Sequence, residues 1–451
     1  TNILNENNKS LNLQRNRIIN SASINSKKID KNSIFIGIKG NKFNGNLYAK
    51  EAIKNKAILA VTNKSYQSSN IIYNQNPLEF FNKLSSTFRK TLNANYIAIT
   101  GSSGKTSVKE LTGHCLNKFS KTYFSKNSFN NKYGVPLSIF NTPQLTKFVV
   151  LEVGMNRKGE IDSLTNLIKP NLGLITNISY AHIENFKNLN HIAKAKGEII
   201  KNIVSKGTMV INKDDKYYNY FLKQSFKKKL KIVSFSKKDR KANVVFLNQK
   251  KNKNQYLLKF RINNKVKSFL IPRELLNYKE NILASLSIII NYVDIDKLNK
   301  NLFKNFIIPQ SRGSIIKYKK GSRSLTIIDE SYNSNPQSFK FALENFDKNY
   351  SEIKKKYLLV GNMLELGKYS IKLHKRIANY INSSKINKTY VYGDLTKHTF
   401  NKLKPQIRGR ILKNNMDILN LINKELPNNC FLMVKGSNST GLNKIIRNLE
   451  K

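Results

Sequence analysis

The sequence predicts an α/β protein of three domains, and three observations carry that reading. The chain has 451 residues, too many for one ordinary core. Short apolar runs alternate with helical stripes along most of it, the pattern of strands and helices in layers. One such run, Tyr96-Ile97-Ala98-Ile99-Thr100, passes straight through a glycine loop into a helix.

The first domain, residues 1–88, reads as a small mixed α/β unit. A strand is expected at 33–38, a helix at 48–56 and a second strand at 58–62, with the polar stretch 63–77 as loop. The central domain, 89–308, opens on the strand at 96–100. The helix after the loop places Val108, Leu111, Cys115, Leu116 and Phe119 on one face. Further strands are expected at 148–153, 172–177, 208–212 and 231–235, with helices between several of them, which implies a parallel sheet. The third domain, 309–451, repeats the alternation with strands at 325–329, 357–361, 389–393 and 431–434. That is a Rossmann-like unit without a GxGxxG fingerprint.

Composition excludes several classes. Lys+Arg is 80 against Asp+Glu 27, a formal charge of +53, yet 39% hydrophobic and 10% aromatic residues suffice for buried cores. The basic residues are scattered among many Asn and Ile, as drift toward A/T-rich codons would leave them, so no nucleic-acid partner is expected. No apolar run approaches the about 18 residues of a spanning helix. The polar start, residues 1–10, reads as no signal peptide, and the absence of an initiator Met suggests that preceding residues are missing. Two cysteines, Cys115 and Cys430, make neither a disulfide framework nor a zinc ribbon. A cytoplasmic monomer is the expectation.

The chemistry gathers at Gly101-Ser102-Ser103-Gly104-Lys105-Thr106-Ser107. Glycines let a backbone approach phosphate oxygens, the helix N-terminus turns amides toward them, Lys105 adds a charge and Thr106 a hydroxyl for Mg²⁺. This is a short Gly-x-x-Gly-Lys-Thr loop, so the central domain reads as a P-loop, ATPase-like unit. Glu152 ends an apolar strand, where a carboxylate suits a metal or simply meets solvent. His182 follows the strand at 172–177, in the sheet-edge position where ligands bind. Lys196 shares a stripe with Ile192, Ile199 and Ile203 in a helix expected at 191–204, while Lys194 and Lys201 lie elsewhere. An inward lysine needs a partner or a modification, because an unpaired buried ammonium is costly. In the third domain, Asp329-Glu330-Ser331-Tyr332-Asn333-Ser334-Asn335-Pro336 suits polar-substrate contacts or an Asx-rich turn. His374, in a stripe with Ile371, Ala378 and Ile381, reads as core.

Taken in order, residues 100–110 (TGSSGKTSVKE), 130–136 (NNKYGVP), 152–156 with 159–161, 176–178 with 181–182, 193–199 (AKAKGEI), 329–336, 361–367 (GNMLELG) and 435–437 (KGS) resemble the Mur ligases. The resemblance runs from about residue 23 to the end. Within that family it favours the branch that adds D-alanyl-D-alanine to UDP-N-acetylmuramoyl-tripeptide. It implies an ATP-dependent amide ligase of peptidoglycan precursor synthesis that works through an acyl phosphate. Lys105 would steady the β/γ-phosphates within the nucleotide-binding set Gly101, Ser102, Ser103, Gly104, Thr106 and Ser107. Thr106 and Glu152 would hold one Mg²⁺, and His182 with a carbamylated Lys196 a second, making Lys105, His182 and Lys196 the catalytic set. Asn281, Arg312 and Asp329 match positions that contact the nucleotide. Ser26, Lys27, Asn44, Asn130, Asn131, Tyr332, Asn333, Asn335 and Lys435 fall at substrate-side positions.

The chain departs from the family pattern in its first domain and at the nucleotide end. Asp-Ser/Thr-Arg reads Asn25-Ser26-Lys27, and Phe-Asp-Gly-His reads Phe43-Asn44-Gly45-Asn46. The Gly-x-His before Asn281 is Leu275-Leu276-Asn277, and the Gly before Arg312 is Ser311. Two alternatives stay open: a sibling ligase that adds the third amino acid, and a basic nucleic-acid-binding P-loop ATPase. The sibling usually carries Thr-Asn-Gly-Lys-Thr and Asp-Asn-Pro-Arg, where this chain has Ser102-Ser103 and Ser334-Asn335-Pro336-Gln337. The ATPase would leave an inward Lys196 beside His182 unexplained.

Overall fold

The computed structural model of the chain describes residues 18–40, 43–125, 128–253 and 255–449, so the polar start at 1–10 lies outside it. Three sheets follow one another along the chain. The first holds β1 (Ser21–Ser23), β2 (Ser33–Ile36), β3 (Ala57–Thr62) and β4 (Ile71–Tyr73), all parallel and in that spatial order. Strand β4 falls inside the stretch expected to be loop; three residues in a polar setting leave too little alternation to read.

Helix Pro77–Thr91 begins with Asn76 accepting from the Glu79 amide and Pro77 in its first turn, where its missing N–H costs nothing. It runs through the boundary expected at residue 88. Its Phe81 and Phe88 rings stand 5.8 and 5.2 Å from Phe140, on helix Gly134–Phe140 of the central region. The Asn141 side chain also bonds both backbone groups of Ala22, at 2.6 and 3.0 Å. The first sheet is therefore moored to the central one by apolar rings and by a sheet-edge amide.

The central sheet has nine strands: β5 (Asn95–Thr100), β6 (Thr122–Phe124), β7 (Phe148–Glu152), β8 (Leu172–Ile175), β9 (Thr208–Asn212), β10 (Lys231–Ser236), β11 (Val244–Asn252), β12 (Gln255–Ile262) and β13 (Lys265–Pro272). Their order is β13-β12-β11-β10-β9-β8-β5-β7-β6. Pairing is parallel from β6 across to β11, as expected, and antiparallel from β11 to β13, which the sequence reading did not foresee. Strand β5 sits between β7 and β8, so successive connections leave it toward opposite sides. That reversal opens a crevice at the carboxyl ends of β5, β7 and β8, the place where such sheets bind ligands.

The third sheet runs β14 (Ser314–Lys320), β15 (Arg323–Glu330), β19 (Cys430–Lys435), β16 (Lys356–Gly361), β17 (Lys388–Tyr392) and β18 (Arg408–Leu412) across its width. Only β14 is antiparallel to its neighbour. Helix Ser370–Asn382 buries Leu373, His374, Ile377, Ala378 and Ile381, whereas Ile371, expected on that stripe, is exposed. His374 is core as read: its Nε2 accepts from the Met363 amide at 3.0 Å, and its Nδ1 lies 2.8 Å from the Ser370 carbonyl. The expected helix at 191–204 is Leu189–Gly197 followed by a tighter turn, Glu198–Asn202. Among the described residues no helix is long and apolar enough to cross a membrane. Both cysteines are free and buried.

Candidate active site

The phosphate loop joins β5 to helix Lys105–Leu116, and its shape depends on the neighbouring strand β8. Gly101 has φ 144°, and a Cβ there would stand 1.8 Å from Thr176 Oγ1, so no other residue fits. Thr176 Oγ1 donates to the Ser103 carbonyl at 2.6 Å, the Ser103 amide donates to Asn177 Oδ1 at 3.1 Å, and the Ser102 amide to the Asn177 carbonyl at 2.8 Å. Ser102 Oγ in turn accepts from the Ser179 amide at 2.8 Å. Four hydrogen bonds thus hold Ser102 and Ser103 to the segment after β8, which leaves the first amides of the helix, with no intrahelical acceptor, turned to the crevice. Lys105 Nζ lies back over the loop on the Gly101 carbonyl at 3.0 Å, and Asn281 abuts Gly104 from the far side.

Thr106 and Glu152 meet across the crevice. Thr106 Oγ1 donates to Glu152 Oε2 at 2.5 Å, and Asn130 Nδ2 donates to Glu152 Oε1 at 2.7 Å. Burial alone would raise the Glu152 carboxyl, but Lys105, Arg312 and these two hydrogen bonds outweigh it and hold it below the usual carboxylate range. It is an ionised, oriented acceptor.

Lys196 is 1% exposed, on the inward stripe that the sequence spacing indicated. Its ammonium has no hydrogen bond or ion pair with another described residue. Burial first, then the Lys105 charge, push its pKa well below the ordinary 10.5, against the pull of Glu152. His182 takes up a left-handed backbone at φ 59°, and its Nδ1 lies 2.6 Å from Glu365 Oε2, which arrives from the third sheet's side of the crevice.

Among the described residues no three His, Cys, Asp or Glu side chains form a metal cluster. A hard cation bound mainly through phosphates needs only one or two protein oxygens, which Thr106 and Glu152 provide. An ammonium at Lys196 cannot ligate; a carbamate there could, and the partnerless amine is the observation that fits one.

A cavity of about 1520 Å³ opens from this site toward the first sheet. Ser26 and Lys27 line it on one side, and Lys105, Asn130, Asn131 and His182 on the other. Among the described residues, Lys27, Lys105, Lys132, Arg157 and Lys158 face it against the single acid Glu160, so it favours a large polyanion.

Several residues singled out by the sequence prove busy elsewhere. Asn44 is not in the cavity wall; its Oδ1 accepts from the Asn46 amide at 3.2 Å and side chain at 2.8 Å. Asn131 Oδ1 accepts from the Tyr133 and Gly134 amides, both at 3.0 Å, although the residue also lines the cavity. Asn335 caps helix Pro336–Asn349 in a reciprocal box with Ser338, the Asx-turn alternative read from the sequence. Asp329 accepts from Ser311 Oγ at 2.7 Å and from the Ser331 amide at 3.0 Å, so it shapes a turn behind the crevice. Lys435 is buried, on the Asn333 carbonyl at 2.8 Å and 3.5 Å from Glu330 Oε2. Asn333 itself is exposed. Tyr332 and Arg312 do reach the site: the guanidinium stacks 4.0 Å from the Tyr332 ring, and both groups bond Ser128. Ser128 and Glu365 escaped the sequence reading. Glu365 lies inside the quoted 361–367 motif and was within reach, whereas nothing distinguishes Ser128 in a Ser/Asn-rich loop.

Residues 99–289 match the Mur ligase middle domain, and 315–438 match the Mur ligase glutamate ligase domain. The chain is similar to the UDP-N-acetylmuramoyl-tripeptide–D-alanyl-D-alanine ligase of Rickettsia prowazekii (strain Madrid E), with 32% identity over 95% of this chain and 94% of that one. The protein of the same name from Buchnera aphidicola subsp. Baizongia pistaciae is 33% identical, over 96% and 93%. Among solved structures, MurF from Acinetobacter baumannii superposes with TM-score 0.83 at 20% identity, covering 96% of this chain and 93% of that one. The MurF ligase of Thermotoga maritima in complex with ADP gives 0.82 at 21%, covering 97% and 98%.

Proposed function

Because the chain belongs to the Mur ligase family, we propose that it is an ATP-dependent amide ligase joining D-alanyl-D-alanine to UDP-N-acetylmuramoyl-tripeptide. The observation that carries this is the shared cavity: the phosphate-loop Lys105 and the first-sheet residues Ser26 and Lys27 line one basic chamber. Its volume exceeds the about 300–1,000 Å³ of an ordinary small-molecule pocket, as a nucleotide-sugar peptide requires. The curated relatives bear that substrate pair in their names.

The terminal carboxylate of the tripeptide attacks the γ-phosphorus of ATP. The β–γ P–O bond breaks, ADP leaves and an acyl phosphate forms. The amine of D-alanyl-D-alanine then attacks the acyl carbon and loses a proton. The C–N bond closes and inorganic phosphate departs with the C–O electrons. Lys105 and the helix amides hold the phosphates through both steps, and Asn130 keeps Glu152 in place. Asn281 and Arg312 flank the nucleotide, with Asp329 shaping the Arg312 turn. Lys27 and Ser26 serve the uridine end. Tyr332 and Asn333 face the acceptor side, on a loop that Asn335 and Lys435 hold in shape.

The cation would be Mg²⁺, which Thr106 and Glu152 would hold at one position and His182 with Lys196 at a second. When bound, it neutralises charge on the transferring phosphoryl group. Lys196 serves as a carbamate: its neutral amine adds to CO₂, an N–C bond forms and one proton is released, leaving an anion. The first unit ends with helix Pro77–Thr91 and not at residue 88, the other two divide at 308, and the enzyme works in the cytoplasm as a monomer.

The test is ATP turnover with UDP-N-acetylmuramoyl-tripeptide and Mg²⁺, with and without D-alanyl-D-alanine, with the product read by mass. Ligated product that needs both substrates is expected. ADP binding without product under any acceptor would overturn the proposal; product with a single amino acid and the dipeptide precursor would assign the sibling reaction instead.

A further inference from the structure

Ser128 sits between the phosphate-loop helix and the third sheet's contribution to the crevice. Its Oγ lies 2.8 Å from the Tyr332 hydroxyl, 3.2 Å from an Arg312 guanidinium nitrogen and 3.4 Å from Thr106 Oγ1. A hydroxyl has one proton to give and two lone pairs to offer. Arg312 only donates, so it takes one lone pair. Thr106 spends its own proton on the ionised Glu152, a pure acceptor, at 2.5 Å. Toward Ser128, Thr106 therefore accepts. The Ser128 proton is committed to Thr106, which leaves Tyr332 to donate to the second lone pair. Every hydrogen bond in the chain then has one direction: Arg312 and Tyr332 to Ser128, Ser128 to Thr106, Thr106 to Glu152. Bonds aligned this way polarise and strengthen one another.

We propose that Ser128 is a positioning residue that couples docking of the C-terminal region, through Arg312 and Tyr332, to the orientation of the Thr106–Glu152 pair. The proposal rests on the ligase reading. Without Arg312 and Tyr332 in place, Ser128 has neither of its donors. Its hydroxyl is then free to turn, and Thr106, still donating to Glu152, loses the donor on its own oxygen. The oxygen pair beside the phosphates is thus completely hydrogen-bonded only in the docked arrangement, which ties the nucleotide site to the acceptor side.

The experiment uses the full chain with Ser128→Ala, Ser128→Thr, Tyr332→Phe and the Ser128→Ala/Tyr332→Phe double variant. Ser128→Ala is expected to lower kcat about tenfold, the worth of one well-placed hydrogen-bond network. It should also raise the Mg²⁺ concentration needed for half-maximal rate, leave KM for the uridine-nucleotide substrate unchanged, and be rescued by Ser128→Thr. Small-angle scattering with ADP and Mg²⁺ should show compaction of the wild type and less of it in Ser128→Ala. In ADP titrations the double variant should be no worse than Ser128→Ala alone. Full additivity of the two losses, or a Ser128→Ala enzyme with wild-type kcat and Mg²⁺ requirement, would overturn the coupling. Should the wild type form no ligated product, the ligase reading fails, while the ADP titration cycle still decides whether Ser128 and Tyr332 act as one unit.

Discussion

Lys196→Met is expected to yield a protein that is more stable and inactive. The wild-type side chain is 1% exposed and its amine meets no partner among the described residues. A buried polar group left without a hydrogen bond costs about 1–3 kcal/mol, and a volume-conserving swap to Met costs less than about 1.5 kcal/mol. Glu152 does not lose its support, because Thr106 and Asn130 remain bonded to it. Relief of the Lys105 repulsion adds in the same direction. The net gain is about 1 kcal/mol, or about 2–4 °C for a unit of the central region's size. The assay is thermal unfolding in CO₂-free buffer without nucleotide, beside turnover under saturating substrates. The pH dependence has a definite sign. Since the folded pKa lies below 10.5, the unfolded chain holds more protons between the two values, and wild-type stability rises with pH across that window. The advantage of Met therefore shrinks as pH climbs. A variant no more stable than wild type near neutrality, or a gap that widens with pH, would refute the buried-amine reasoning. Near-wild-type turnover would separately remove Lys196 from the reaction.

Two further substitutions test the surroundings. Gly154→Ala places a Cβ 2.9 Å from the Asn130 side chain, which must move off Glu152; about tenfold loss of kcat is expected with secondary structure unchanged by circular dichroism, and an unaltered kcat would show that Asn130 is dispensable. Lys435→Met removes the chief charge opposing the burial that raises the Glu330 pKa, so about 3 kcal/mol of stability should go. Adding Glu330→Gln should return most of it in a melting experiment, and losses that merely add would show that the pair is not coupled.

What the sequence revealed and what it hid follow from the range of the interactions involved. Strand β5 was legible because both its faces are buried, so it reads as an uninterrupted apolar run. The inward turn of Lys196 was legible because helical spacing alone sets it beside Ile192. Strands β12 and β13 were hidden: only Leu258, Phe260, Ile262, Phe269 and Ile271 go inward, and half-buried residues such as Leu257, Arg261 and Leu270 blur the alternation between them. The antiparallel pairing of β11 to β13 went unread with them. The Ser128 contacts join residues 184 and 204 positions apart, and no local pattern encodes such a meeting.

The first-domain departures from the family pattern fall where local geometry can absorb them. Asn44 stands where the family has Asp, and what its side chain does is accept from the Asn46 amide and side chain, a task that needs an oxygen and not a charge. Asn25 likewise accepts from the Lys27 amide at 3.0 Å and keeps the turn that presents Ser26. Lys27 retains the positive charge at the cavity wall while giving up the planar fork of an arginine. At the phosphate loop and its carboxylate the same tolerance is missing: Gly101 cannot carry a Cβ, and Glu152 needs a carboxylate because both its oxygens are already accepting. Drift toward Asn and Lys has thus been permitted where an acceptor or a charge suffices, and stopped where shape and ionisation are both required. A chain that had lost its chemistry would have no reason to keep that division, so the pattern of loss itself argues for a working ligase.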